Sequence, residues 1–279
     1  MQLDLTGRNV LITGASKGIG RACAETFAAE GCSLDLVARN ESALEGLAAD
    51  LTERFGTVVR IRAIDLSVPD AQRSLAESLD AVDIVVNNAG AIPGGNLETV
   101  DDVTLRDGWE LKVFGYINIC RMLLPRLVAQ RRGVIVNVIG AAGVRPQESY
   151  IAGGIGNAGL MAMTQALGAR SLRDGVRVVA VNPGLILTDR MTDLLRAAAQ
   201  ARFGDAERWN ELTPTDPEGH VLQGQRTVRI VLVDVGKADH GRKLKGPGSG
   251  EKRTTASHHA PSKGCPVPTP GPTPVAGPR

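Results

Sequence analysis

The chain has 279 residues, 43% of them hydrophobic but only 3% aromatic, with a formal net charge of +2. That length accommodates one large α/β domain or two small ones around an aliphatic, alanine-rich core. The charge is uneven: residues 237–279 carry a net +6 and residues 1–236 about −4, so nothing in the body of the chain calls for nucleic acid.

The first predicted element is the strand "NVLITG" (9–14), which turns through glycines into the helix "IGRACAETFAAEG". Gly14, Gly18 and Gly20, with Ser16, Lys17 and Ile19 between them, let the backbone approach a pyrophosphate at a helix N-terminus. Free N–H groups and the helix dipole favour an anion there. The second strand, "SLDLVAR" (33–39), ends in Ala38 and Arg39, where an acidic residue would accept a bond from a ribose 2′-hydroxyl. A guanidinium there, with Lys17 nearby, suits a 2′-phosphate, so NADP is expected ahead of NAD. Two solvated surface cations are the alternative.

The helix "NESALEGLAADLTERFG" leads to a third strand, "VVRIRAIDL" (58–66), and "DAQRSLAESL" to a fourth, "VDIVVNNAG" (82–90). The helix "GWELKVFGYINICRMLLPRLVAQRRG" precedes the fifth strand, "GVIVNVIG" (133–140). The helix "YIAGGIGNAGLMAMTQALGARSLRDG" precedes the sixth, "VRVVAVNPG" (176–184). Near-continuous apolar runs alternating with helices predict an α/β fold: a Rossmann-type doubly wound parallel sheet flanked by helices on both faces.

Beyond it, "LILTDRMTDLLRAAAQARF" is amphipathic and suits a lid, and "TVRIVLVDVG" (227–236) suits a last strand. One domain over 1–236 is expected, followed by a Pro/Gly-rich basic tail over 237–279 that cannot bury enough apolar surface to order itself. The four cysteines lack metal-ligand or disulfide spacing, and no apolar stretch approaches 18 residues. A soluble cytoplasmic protein with reduced thiols, without metal or membrane partner, is expected.

"TGASKGIG" (13–20), "NNAG" (87–90), Tyr150 opening a helix, and "NPG" followed by Thr188 stand in an order that resembles the short-chain dehydrogenase/reductase family over roughly residues 5 to 195. The resemblance implies a nicotinamide cofactor and interconversion of a small-molecule carbonyl and alcohol. It places Asp65 and Leu66 beside the adenine, and Asn88, Ala89 and Gly90 along the ribose and cofactor backbone. Pro183, Gly184, Ile186 and Thr188 fall on the nicotinamide side. Tyr150 is implied as acid/base, a role in which the family pairs it with a lysine four residues on. That position is Gly154, the family's serine falls at Gly140, and its asparagine aligns with Lys112.

A relocated lysine, Lys112 reaching into the volume that Gly154 vacates, with Asn157 orienting it or a water, would restore the function. A solvated Lys112 paired with Glu110 or Asp107 is the alternative, and with it an NADP(H)-binding sensor or scaffold without turnover. Gly153, Gly154, Gly156 and Gly159 in one helix each cost about 1 kcal/mol relative to alanine. Close packing in a homodimer or homotetramer would offset that, as would close packing within one subunit.

Overall fold

The computed structural model describes residues 3–184, 186 and 188–213. Six strands form one parallel sheet in the order β3-β2-β1-β4-β5-β6: β1 (Asn9–Thr13), β2 (Ser33–Ala38), β3 (Val59–Ala63), β4 (Ile84–Asn87), β5 (Gly133–Val138) and β6 (Val176–Val181). The chain reverses direction across the sheet between β1 and β4, so their C-terminal ends open a crevice. Alternation along β1 shows why both sheet faces are covered. Val10 and Ile12 point into one apolar cluster with Ala24 and Ala28 of α1 (Gly18–Ala29) and Leu44, Leu47 and Leu51 of α2 (Glu41–Phe55). Leu11 points into the other, with Leu75 of α3 (Pro69–Glu77) and Ile119, Leu123 and Leu127 of α5 (Gly115–Ala129). This is the doubly wound arrangement that the apolar runs predict.

Two charged clusters tie strands together. On edge strand β3, Arg60 and Arg62 both reach the buried Asp35 of β2, each with a 2.9 Å ion pair. At the N-terminal end of β4, buried Asp83 accepts from Asn9 N–H at 3.0 Å and pairs with Arg132 at 2.8 Å and Arg8 at 3.5 Å. Burial raises the Asp83 pKa, but the Asn9 bond and the two arginine charges outweigh it and hold the carboxyl below its ordinary range. Cys23, Cys32 and Cys120 are free thiols, and burial pushes Cys120 up to about 12.

The longest departure from sequence expectation lies between β4 and β5. The helix begins six residues before "GW", as α4 (Asp102–Trp109), with Asp101 as N-cap accepting from Thr104 N–H at 2.7 Å. It then widens into a π-helical turn, Glu110–Phe114, before α5. A residue is thereby inserted into the helical register at Lys112, a feature frequent at functional sites.

Helix α6 (Ile151–Ser171) packs on β6 and on the π turn. A Cβ at Gly156 would stand 2.9 Å from Val113 and 3.3 Å from Trp109, and Trp109 Nε1 donates to Ala152 O at 3.0 Å. Contacts inside one chain therefore account for this glycine, without a partner subunit. The amphipathic segment after "NPG" forms α7 (Asp189–Phe203). The strand expected at 227–236 and the tail at 237–279 lie outside the described residues.

Candidate active site

The described residues expected to hold a cofactor sit at the C-terminal edge of the sheet, in the loops that follow its strands, or at the N-terminal ends of α1 and α6. Gly14 leaves β1 with φ +68°, and a Cβ there would stand 2.9 Å from Ala89 and Asn88. At Gly20 a Cβ would fall 2.2 Å from Gly14 O, so the turn closes on its own helix only because both positions lack side chains. The loop is locked to β4 by Thr13, whose Oγ accepts from Asn88 N–H at 2.9 Å and Ala89 N–H at 3.1 Å. Asn88 Nδ2 returns bonds to Thr13 O and Gly14 O. Thr13 is quoted in the sequence motif, but its role as the clasp between two strand ends is visible only here.

Helix α1 begins at Gly18 with Lys17 as its N-cap, and no side chain caps it and no acidic residue occupies its first turn. Its first amides therefore point toward the crevice with the positive end of the dipole uncompensated. Gly18 also meets the loop between β6 and α7: a Cβ there would lie 3.2 Å from Thr188 Cγ2, while Thr188 Oγ caps α7 by accepting from Met191 N–H. Pro183 O accepts from Ala141 N–H, which ties the β6 loop to the β5 loop, and Gly184 and Ile186 follow in that loop.

Arg39, largely exposed, stands 3.9 Å from Asp65. The bonds from Ser67 N–H and Oγ outweigh the opposing effect of burial and, with a smaller contribution from the Arg39 charge, hold the Asp65 carboxyl below its usual range. Arg39 and Asp65 line a cavity of about 490 Å³ shared with Ala91, Asp107 and Glu110. Leu66 is buried in the core.

At the end of β5, three successive carbonyls are taken by three side chains. Tyr116 Oη donates to Val138 O at 2.8 Å, Lys112 Nζ to Ile139 O at 2.6 Å and Asn157 Nδ2 to Gly140 O at 3.4 Å. The half-buried Lys112 lays its stem across Gly90, where a Cβ would stand 2.8 Å from Lys112 Cδ. Lys112 thus reaches into the protein rather than out to solvent.

It does not do so by the route the sequence suggests. The atoms nearest a Cβ at Gly154 belong to Ala142 and Pro146, at 3.7 Å, and not to Lys112. Asn157 likewise holds the neighbouring carbonyl instead of the ammonium. Gly140 has φ +130°, a conformation costly for any other residue, so the strand end is built around glycine here.

Tyr150 is half-buried at the N-cap of α6. Two asparagines flank the β5 end with unpaired buried atoms: Asn157 Oδ1, and both Oδ1 and Nδ2 of Asn182. Asn182 lies opposite Ile139 and Gly140, between the bonds Ile139 N–H to Val181 O and Ala141 N–H to Pro183 O. Sequence reasoning named Asn157 but missed Asn182, which alone reads as the end of a strand. Among the described residues no cluster of His, Cys, Asp and Glu could hold a metal, and no helix is long and apolar enough to cross a membrane.

The family model described as short chain dehydrogenase matches residues 8–199. The chain is 30% identical over 242 residues to the NADP-dependent 3-hydroxy acid dehydrogenase of Schizosaccharomyces pombe, covering 82% of this chain and 92% of that protein. Among solved structures it is similar to L-sorbose reductase from Gluconobacter frateurii, complexed with NADPH and L-sorbose. The two share 31% identity at a TM-score of 0.69, over 76% of this chain and 82% of that one. It is also similar to a short-chain dehydrogenase from Sphingobium yanoikuyae in complex with NADPH, at 27% identity and a TM-score of 0.63, over 74% and 91% of the two chains.

Proposed function

The chain belongs to the short-chain dehydrogenase family of oxidoreductases, and from that premise we propose that it interconverts a carbonyl and a secondary alcohol with NADP(H), using Tyr150 as acid/base and Lys112 as a relocated ammonium. The residues at the sheet edge fit a phosphorylated dinucleotide. A glycine turn too tight for a Cβ opens onto uncapped helix amides for the pyrophosphate, and exposed Arg39 suits a 2′-phosphate. Gly14, Ser16, Lys17, Gly18, Ile19 and Gly20 would hold the phosphates, and Asp65 and Leu66 the adenine side. Asn88, Ala89 and Gly90 would hold the ribose, with Pro183, Gly184, Ile186 and Thr188 on the nicotinamide side. NADPH-bound relatives support NADP over NAD.

When bound, the cofactor supplies or accepts the hydride at the carbonyl carbon. In reduction, the Tyr150 hydroxyl gives its proton to the carbonyl oxygen as that oxygen gains negative charge; in oxidation the phenolate takes the proton back. A free phenol, with a pKa of about 10, is poorly matched to this task at neutral pH, and an ammonium nearby favours the phenolate. The observation that carries the reading is Lys112 Nζ at 2.6 Å from Ile139 O, beside Gly140, at the strand end where the family's orienting serine would stand. Asn157 Oδ1, buried without a partner, offers an acceptor for a water that returns the proton.

The test is NADPH oxidation with a panel of ketones and aldehydes, and alcohol oxidation with NADP, by wild type, Tyr150→Phe and Lys112→Met from about pH 6 to about pH 9. Wild type turns over, and Tyr150→Phe loses about 100-fold or more in kcat. In alcohol oxidation Lys112→Met reaches its plateau at higher pH than wild type, because the phenol loses the charge that lowers its pKa. A Lys112→Met variant that matches wild type at every pH contradicts the relocation. The glycines at 140 and 154 favour a second reading, a chain that binds NADP(H) without turnover; it predicts tight cofactor binding and no reduction of any carbonyl.

A further inference from the structure

We propose that Gln72 is a positioning residue for the adenine end of the cofactor site, acting through the main chain of Asp65 and Leu66. The proposal deepens the NADP(H) reading and rests on it. Gln72 lies on α3 and is fully buried, at 0% exposure. Its Nε2 donates to Leu66 O at 2.6 Å, and its Oε1 accepts from Asn118 Nδ2 of α5 at 2.6 Å. Asn118 Oδ1 in turn accepts from Arg121 at 2.6 Å. A guanidinium can only donate, so this chain of bonds has one polarity, and it ends on the Leu66 carbonyl.

That carbonyl belongs to the loop between β3 and α3, which gives the cavity beside Arg39 one wall, Asp65 and Ser67. The loop is held at its start by Ile64 N–H on Ala38 O, at 3.0 Å, and internally by the Ser67 bonds to Asp65 Oδ1. The π turn gives the cavity Glu110 and Leu111, and Gly115 closes that turn by donating to Glu110 O. A Cβ at Gly115 would lie 3.8 Å from Gln72 Nε2 and 3.9 Å from Leu66 O. The Gln72–Leu66 bond therefore sits between the two walls. An apolar side chain at 72 leaves the buried Leu66 carbonyl without its donor, and the Asp65–Ser67 segment shifts to find another.

The test compares wild type, Gln72→Met and Asn118→Ala as full chains. Calorimetric titration measures the affinity for NADPH and for adenosine 2′,5′-bisphosphate, which carries the adenosine half alone. Gln72→Met is expected to weaken both by the same factor, about tenfold, because the loss is confined to the adenosine half. At saturating NADPH, kcat for carbonyl reduction stays within about twofold of wild type while KM rises. Asn118→Ala removes the partner that orients the Gln72 amide, and it moves the same two affinities in the same direction by a smaller factor. That variant decides alone if Gln72→Met does not fold.

Unchanged affinities in the variants overturn the proposal. So does a loss for NADPH that exceeds the loss for the bisphosphate, since the damage then reaches the nicotinamide end and Gln72 merely joins α3 to α5. A wild type that binds neither probe overturns the NADP(H) reading, and the proposal falls with it. A wild type that binds both but reduces no carbonyl overturns the catalytic reading alone, and the two affinities then decide the role of Gln72.

Discussion

Arg39 shows how much one side chain decides at the mouth of the crevice. Its partner Asp65 is 3.9 Å away and both groups are substantially exposed, so the pair is weak and the guanidinium can exchange that carboxylate for a phosphate. A bond from a guanidinium to a phosphate is charge-assisted and contributes about 1.5–3 kcal/mol. Arg39→Ala should therefore weaken NADPH binding about 10- to 100-fold while NADH binding holds constant, read by fluorescence titration. Equal weakening for both nucleotides would show that Arg39 does not read the 2′-phosphate. At this scale the sequence exposes charges and not distances. Arg39 and Lys17 stand out from their place beside a glycine turn, whereas the Lys112–Ile139 bond joins residues 27 apart in the chain.

The inner strands are legible because a parallel strand buried on both faces is a near-continuous apolar run, while the edge strands β3 and β6 keep β-branched residues around their arginines. The strand ends are less legible. The fourth is expected over 82–90 but runs over Ile84–Asn87, with Asp83 and Asn88 adding side-chain bonds to their neighbours at either end. The asparagines of "NNAG" and "NVIG" hid a further device: Asn87 Nδ2 donates to Asn137 Oδ1 at 2.9 Å, and Asn137 Nδ2 to Thr164 at 2.9 Å, joining β4, β5 and α6 inside the core. The π turn at Glu110–Phe114 leaves no trace in a 3.6-residue pattern, though Asp101 was a readable cap for the helix before it.

Asp83 tests the strand-end bonding. Losing its charge leaves Arg132, Arg8 and the Asn9 amide without their carboxylate, so Asp83→Asn should lower unfolding stability by about 1–3 kcal/mol at neutral pH. The carboxyl titrates below its unfolded value in the fold, so its contribution is complete above about pH 4 and disappears as pH falls through the folded pKa. The gap between the two proteins in urea unfolding should close in that acid range; a gap that persists there would refer the loss to packing.

The whole molecule converges on one edge: the ends of β1, β4, β5 and β6 carry the glycine turn, the Asn88 clasp, the Lys112 strand end and the loop to α7, with Tyr150 opening α6 beside them. Only an assembled sheet brings these together, so a ligand there stabilises the fold, by about 2.7 kcal/mol at a hundredfold excess over Kd. The measurement that bears on this most directly is fluorescence titration of the folded full-length chain with NADPH and with NADH. Saturable NADPH binding, at least about tenfold tighter than NADH, is the predicted result. Folded protein that ignores both nucleotides at millimolar concentration would contradict the account, since without that seat neither the hydride chemistry nor the placement of Tyr150 and Lys112 has an object.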